Sequence, residues 1–116
     1  MNYIANIDTI IFDSKFNDEL DIGLISAYTK LIFSNFKLDK KIFECYENEK
    51  LFEFYSDDDL FSLKFLGSKF NQDVSNLPPS ITHLIFGCHF NQDVSNLPQS
   101  IIYLTFGRFF NKDVSN

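Results

Sequence analysis

One phrase constrains this chain more than any other. Phe-Asn-Gln-Asp-Val-Ser-Asn-Leu-Pro begins at Phe70, begins again at Phe90, and returns as Phe-Asn-Lys-Asp-Val-Ser-Asn from Phe110. The period is 20 residues. Burying one Leu or Phe contributes roughly 1.5–3 kcal/mol, against roughly 1–2 kcal/mol of backbone entropy for each ordered residue. A single unit of this length loses that contest, whereas stacked units share their apolar faces and can win it.

The unit from Leu77 to Asn96 places apolar residues at Leu77, Ile81, Leu84, Phe86, Phe90 and Val94, and the next keeps Leu97, Ile101, Leu104, Phe106, Phe110 and Val114. The alternation Leu84-x-Phe86 sends two side chains to one side of a strand, with His83 and Ile85 on the other. Stacked copies would form a parallel sheet with strands about 4.8 Å apart. Gly67, Gly87 and Gly107 follow each strand, where a turn needs positive φ or a close backbone approach. Pro78 suits the return segment rather than the sheet. Asn71, Asn91 and Asn111 are expected to stack in a column and satisfy backbone groups at the corners.

The spacing Ile81-x-x-Leu84-x-Phe86 is that of a leucine-rich repeat. Leu77-Pro78-x-Ser80-Ile81-Thr82-His83-Leu84-x-Phe86-Gly87 with Phe90-Asn91-Gln92 closely resembles the FNIP repeat, a leucine-rich-repeat variant in proteins of giant DNA viruses and social amoebae. Leu97-Pro98-x-Ser100-Ile101 and Phe106-Gly107 repeat the resemblance. The chain departs from that family at Asp93-Val94, where a Pro-Ile pair is frequent, and His89 stands where the general leucine-rich pattern has asparagine. The Phe-Asn-Gln-Asp phrase also resembles repeats of bacterial surface lipoproteins, which lack the Leu-Pro-x-Ser-Ile half. The resemblance implies a viral protein-interaction module in the host cytoplasm. Some FNIP-repeat proteins carry an F-box, for which this chain offers no room ahead of its first repeat.

The earlier chain yields to alignment with these units. Phe12-Asp13-Ser14-Lys15-Phe16-Asn17 parallels Leu66-Gly67-Ser68-Lys69-Phe70-Asn71, and Ile7-x-x-Ile10-x-Phe12 keeps the strand spacing. Leu24 to Phe33 matches Leu77 to Phe86, with Leu24, Tyr28, Leu31 and Phe33 in core positions. The expected organisation is one repeat domain, 1–116. It holds diverged repeats over 3–23 and 24–37, an irregular acidic insert over 38–59, and regular repeats over 60–116. Between Phe33 and Leu66 the metre breaks, over a span too long for one unit and too short for two. Leu38 to Tyr55 has helical spacing. The rival is a hairpin of Leu51–Tyr55 and Leu60–Phe65. A short helix followed by a strand re-entering the stack is the favoured reading.

Composition narrows the function. The 15 phenylalanines fall largely at repeat positions, which assigns them to packing rather than to stacking on bases. A formal net charge of −6 without a basic stripe argues against nucleic acid. The N-terminal segment is acidic by Asp8 and lacks a basic region, so no signal peptide is expected. No apolar run reaches the length of about 18 residues needed to span a membrane. Cys45 and Cys88 occupy unrelated positions and read as free thiols in a reducing, intracellular compartment.

Candidate chemistry is thin. Asp73, Asp93 and Asp113 would align in a stack and could present oxygens to calcium, but each precedes a serine by two residues, and a local Asx turn is the simpler role. His83, Cys88 and His89 fit no zinc spacing. The tract Glu44–Asp59 holds seven carboxylates and reads as a solvated face or a surface for a basic partner. No catalytic, cofactor or metal site is expected. By alternation the outward sheet face presents Thr9 and Ile11, Lys30 and Ile32, His83 and Ile85, then Tyr103 and Thr105, and this is the candidate partner-binding face.

The expected fold is mainly β: a right-handed leucine-rich-repeat-like solenoid with one short parallel sheet, a parallel β-helix being the alternative. The expected function is a non-catalytic protein–protein interaction scaffold for an unknown protein partner. A self-assembling structural protein joined through an uncapped C-terminal edge is the second expectation, and a degenerate remnant of a longer repeat protein the third.

Overall fold

In the computed structural model, residues 3–38 and 66–112 are described. Five short strands form one sheet: β1 (Tyr3–Ala5), β2 (Thr9–Phe12), β3 (Lys30–Phe33), β4 (His83–Ile85) and β5 (Tyr103–Thr105), in that spatial order. The four repeat strands run parallel, with Ile10, Leu31, Leu84 and Leu104 in one row. The expectation of a wholly parallel sheet is corrected by β1, which lies antiparallel on β2. A tight turn returns the chain on itself, a connection that produces only antiparallel neighbours. Asn6 fixes that turn, its Oδ1 accepting from the backbone N–H groups of Asp8 and Thr9 at 3.0 and 2.9 Å. Ile7 sits in the turn and is 92% exposed, so it does not hold the core position that its spacing before Ile10 predicts.

Helix is scarce. The single helix among the described residues, α1 (Ile22–Ile25), begins where Asp21 caps the Leu24 N–H at 3.1 Å. It turns Ile25 fully into the core, while Leu24 and Tyr28 pack only partly buried at its rim.

Phenylalanine rings form the spine. In each layer the ring that ends the strand stacks on the ring after the corner: Phe12 on Phe16 at 4.3 Å, Phe33 on Phe70 at 3.9 Å, Phe86 on Phe90 at 3.6 Å and Phe106 on Phe110 at 3.9 Å. Between layers the same rings lie over one another at 5.5 to 6.1 Å, nearly coplanar in orientation. Such offset pairs add about 0.5–1.5 kcal/mol each beyond the area they bury. Phe70 and Phe90 are completely buried.

An asparagine column runs beside the rings. Asn71, Asn91 and Asn111 each donate a backbone N–H to the side-chain oxygen of the preceding asparagine, at 2.8, 2.9 and 3.0 Å, with Asn17 as the first acceptor. Gln72 and Gln92 reinforce it, each donating to both oxygens of the asparagine below. One step of the ladder joins residues 54 apart in sequence and the others join residues 20 apart.

That unequal step accounts for the break in metre. β3 and β4 are direct neighbours, and Phe70 completes the layer that Phe33 begins. The chain therefore leaves one repeat after its strand and re-enters the same repeat at Leu66. Asn35 clasps the junction: its carbonyl accepts from Leu66 and Gly67, both at 2.9 Å, and its Oδ1 accepts from Ser68 at 2.9 Å and Cys88 at 2.7 Å. The helix expected from Leu38 to Tyr55 and its rival hairpin fall on residues 39–65, outside the described residues.

The corner glycines answer both needs that the sequence raises. Gly67 has φ of +73°. At Gly107 a Cβ would collide with the carbonyl of Gly87, so the layers approach there with no room for a side chain.

Asn35→Ala would strand the Ser68 and Cys88 N–H groups, both on buried residues, at about 1–3 kcal/mol for each orphaned donor. Urea unfolding should show that loss, and Asn35→Asp, which keeps the acceptor oxygens, should recover most of it.

Candidate interaction surface

Strand alternation gives the sheet two faces. Ile10, Phe12, Leu31, Phe33, Leu84 and Phe86 join the main core cluster. The opposite face carries two rows fixed by register: Thr9, Lys30, His83 and Tyr103, then Ile11, Ile32, Ile85 and Thr105. All eight residues proposed as a partner-binding face thus lie in two adjacent rows.

Their exposure is uneven. Thr9, Ile11 and Ile32 are buried, at 6%, 0% and 4%, and present nothing to a partner. Lys30, His83, Ile85 and Thr105 are partly exposed, and Tyr103 is 49% exposed. The expectation of a face open along its whole length is corrected at the N-terminal side. The reason lies in the strand sequences. Ile10-Ile11-Phe12 and Leu31-Ile32-Phe33 are unbroken apolar runs, the pattern of strands covered on both faces, whereas His83-Leu84-Ile85 and Tyr103-Leu104-Thr105 relax that pattern.

On the open part the His83 and Tyr103 rings stack at 5.8 Å. His83 Nδ1 and the Thr82 hydroxyl share a hydrogen bond of 2.8 Å. Thr82 in turn anchors the next strand, its carbonyl accepting from Ile102 and Tyr103. These contacts hold the ring pair against the sheet, so the surface is set before anything docks on it.

The metal-ligand residue types are dispersed. His83 belongs to the strand face, Cys88 is buried at the corner, and His89 donates from Nδ1 to the Ser68 carbonyl at 2.8 Å. Among the described residues no group of three or more His, Cys, Asp or Glu converges. The aspartates close local turns: Asp73 accepts from the Ser75 N–H at 3.1 Å and its hydroxyl at 2.8 Å, and Asp93 accepts from the Ser95 N–H at 2.9 Å. Asp113 lies outside the described residues. No helix among the described residues is long and apolar enough to cross a membrane.

Sequence reasoning missed β1 and Asn35. The signal for β1 was Tyr3-Ile4-Ala5 followed by Asn6 and Asp8, turn residues ahead of a strand. Asn35 carried no local signal, because its partners are remote in the chain.

The Ser95 backbone N–H, with its hydroxyl adding to the effect, holds the Asp93 carboxyl below its ordinary value of 3.8. A carboxylate depressed in the folded state stabilises above its unfolded pKa, and that stabilisation is lost as pH falls through the folded value. Melting temperature followed through the acid range should therefore fall less steeply in Asp93→Asn than in the native chain.

Residues 59–89 and 70–109 match the family model described as FNIP Repeat. No curated protein and no solved structure matches the chain.

Proposed function

The chain is an FNIP repeat-containing protein, and on that premise we propose that it is a non-catalytic protein–protein interaction scaffold. Its layers are read as a right-handed, leucine-rich-repeat-like solenoid in which repeats 3–23 and 24–37 precede the regular units. The partner contacts the open stretch of the sheet face, Lys30, His83, Ile85, Tyr103 and Thr105. One observation carries this reading: register places Lys30, His83 and Tyr103 in a single partly exposed row on adjacent parallel strands. Side chains on hydrogen-bonded strands lose little freedom on binding, which favours recognition. The proposed setting is an intracellular, reducing compartment, in keeping with Cys88 as a free thiol.

The test is paired capture from cell extract with the native chain and with Lys30→Glu/His83→Ala. Neither residue belongs to the core cluster, so the variant should still unfold cooperatively, less stable by about 0.5–1.5 kcal/mol for the lost His83–Tyr103 ring stack. A specific partner should be retained at least about tenfold less by the variant. Equal capture by both chains would overturn the assignment of this face.

A further inference from the structure

The two ends of the stack are finished differently. At the N-terminal end β1 lies over β2, and Ile10, Phe12 and Ile25 of that layer are buried. At the C-terminal end β5 has β4 on one side and, among the described residues, no strand on the other. The apolar positions Leu97, Ile101, Phe106 and Phe110 are only partly buried, although their counterparts one repeat earlier, Leu77, Ile81, Phe86 and Phe90, are buried. Of the six exposed large apolar side chains among the described residues, four are Ile102, Tyr103, Leu104 and Phe109.

The backbone at this edge has a definite polarity. The Tyr103 N–H donates to Thr82 at 3.2 Å, and the Thr105 carbonyl accepts from Phe86 at 3.1 Å. Adjacent residues of a strand direct their backbone groups to opposite sides, so Leu104 turns both its N–H and its carbonyl away from β4. Natural edges are protected by charge, proline or a bulge. Here Ile101 to Phe106 reads Ile-Ile-Tyr-Leu-Thr-Phe, β-forming throughout, with neither a charge nor a proline. The row that carries Lys30 and His83 on inner strands carries Tyr103 on the edge strand.

We infer that the β5 edge binds a second copy of this chain, tail to tail, in a closed two-fold dimer. An edge of this kind is self-complementary when two copies meet antiparallel. Leu104 then faces Leu104 of the other copy and the pair exchanges two backbone hydrogen bonds, with Tyr103 opposite Thr105. Arg108 of each copy falls beside Ser100 of the other, which keeps the two guanidinium groups apart. A groove of about 360 Å³ lined by Leu97, Pro98, Ile101 and Leu104 opens beside the edge and receives apolar side chains of the other copy. The contact is isologous, using the same edge in both copies, so the pairing consumes it and assembly through this edge stops at two. This inference concerns the sheet edge and does not depend on any partner at the sheet face.

The test is sedimentation equilibrium on the full chain across a wide concentration series, with amide hydrogen exchange measured in parallel. The expected result is a monomer–dimer equilibrium in which Leu104 N–H protection rises with dimer fraction while Tyr103 N–H is protected throughout. Tyr103→Lys, which restores the charge present at Lys30, should weaken dimerisation at least about tenfold. A monomer at every concentration, species growing beyond the dimer, or a dimer that leaves the Leu104 amide exchanging freely would each overturn the inference. So would a monomer whose Leu104 amide is protected only on adding a peptide of one repeat, Leu77 to Asn96. Should Tyr103→Lys not fold, exchange at Leu104 in the native chain decides alone.

Discussion

Parallel strands sit about 4.8 Å apart, and every other contact in this protein has to accommodate that spacing. Aromatic rings do so by stacking with their planes nearly parallel: the columns through Phe12, Phe33, Phe86 and Phe106, and through Phe16, Phe70, Phe90 and Phe110, advance by 5.5 to 6.1 Å between layers. Within a layer the two rings close to 3.6–4.3 Å. Each ring of the two inner layers, Phe33, Phe70, Phe86 and Phe90, is thus packed above, below and beside by another of the same shape. A register slip of one residue would turn the whole set to the other face of the sheet, so the rings specify alignment as well as burial.

The polar ladder alongside does different work. Its donors and acceptors lie near solvent, and hydrogen bonds of that kind contribute only about 0.5–1.5 kcal/mol net. Their value is in geometry. An amide oxygen that must receive the N–H of the next asparagine fixes how far each corner advances, and the glycines allow it. At Gly107 the backbone passes so close to Gly87 that any side chain would separate the layers. Rings and corners are therefore mutually consistent constraints, which favours a single native alignment.

Much of this was legible in the sequence because it repeats. Phe70, Phe90 and Phe110 announce a column by recurring, and Asn17 could be assigned to the ladder by aligning Phe16-Asn17 with Phe70-Asn71. What repetition could not reveal was anything that occurs once. β1 has no counterpart in other layers, and Asn35 acts on Leu66, Gly67, Ser68 and Cys88, none of them near it in the chain. Exposure on the outward face was misjudged for a related reason. Alternation assigns a side chain to a face, but whether that face meets water depends on what else packs there, and only the double-sided apolar run in β2 and β3 hinted at it.

The clasp at Asn35 has a consequence for how such a chain can change. Because one residue holds both the departing and the returning backbone, the intervening peptide begins and ends at the same corner. The entropy of closing a loop grows only slowly with its length, so this corner is where sequence can be gained, lost or exchanged with little penalty to the layers on either side. Variation among such proteins, and any engineered cargo, should therefore gather at this hinge of the architecture and spare its periodic body.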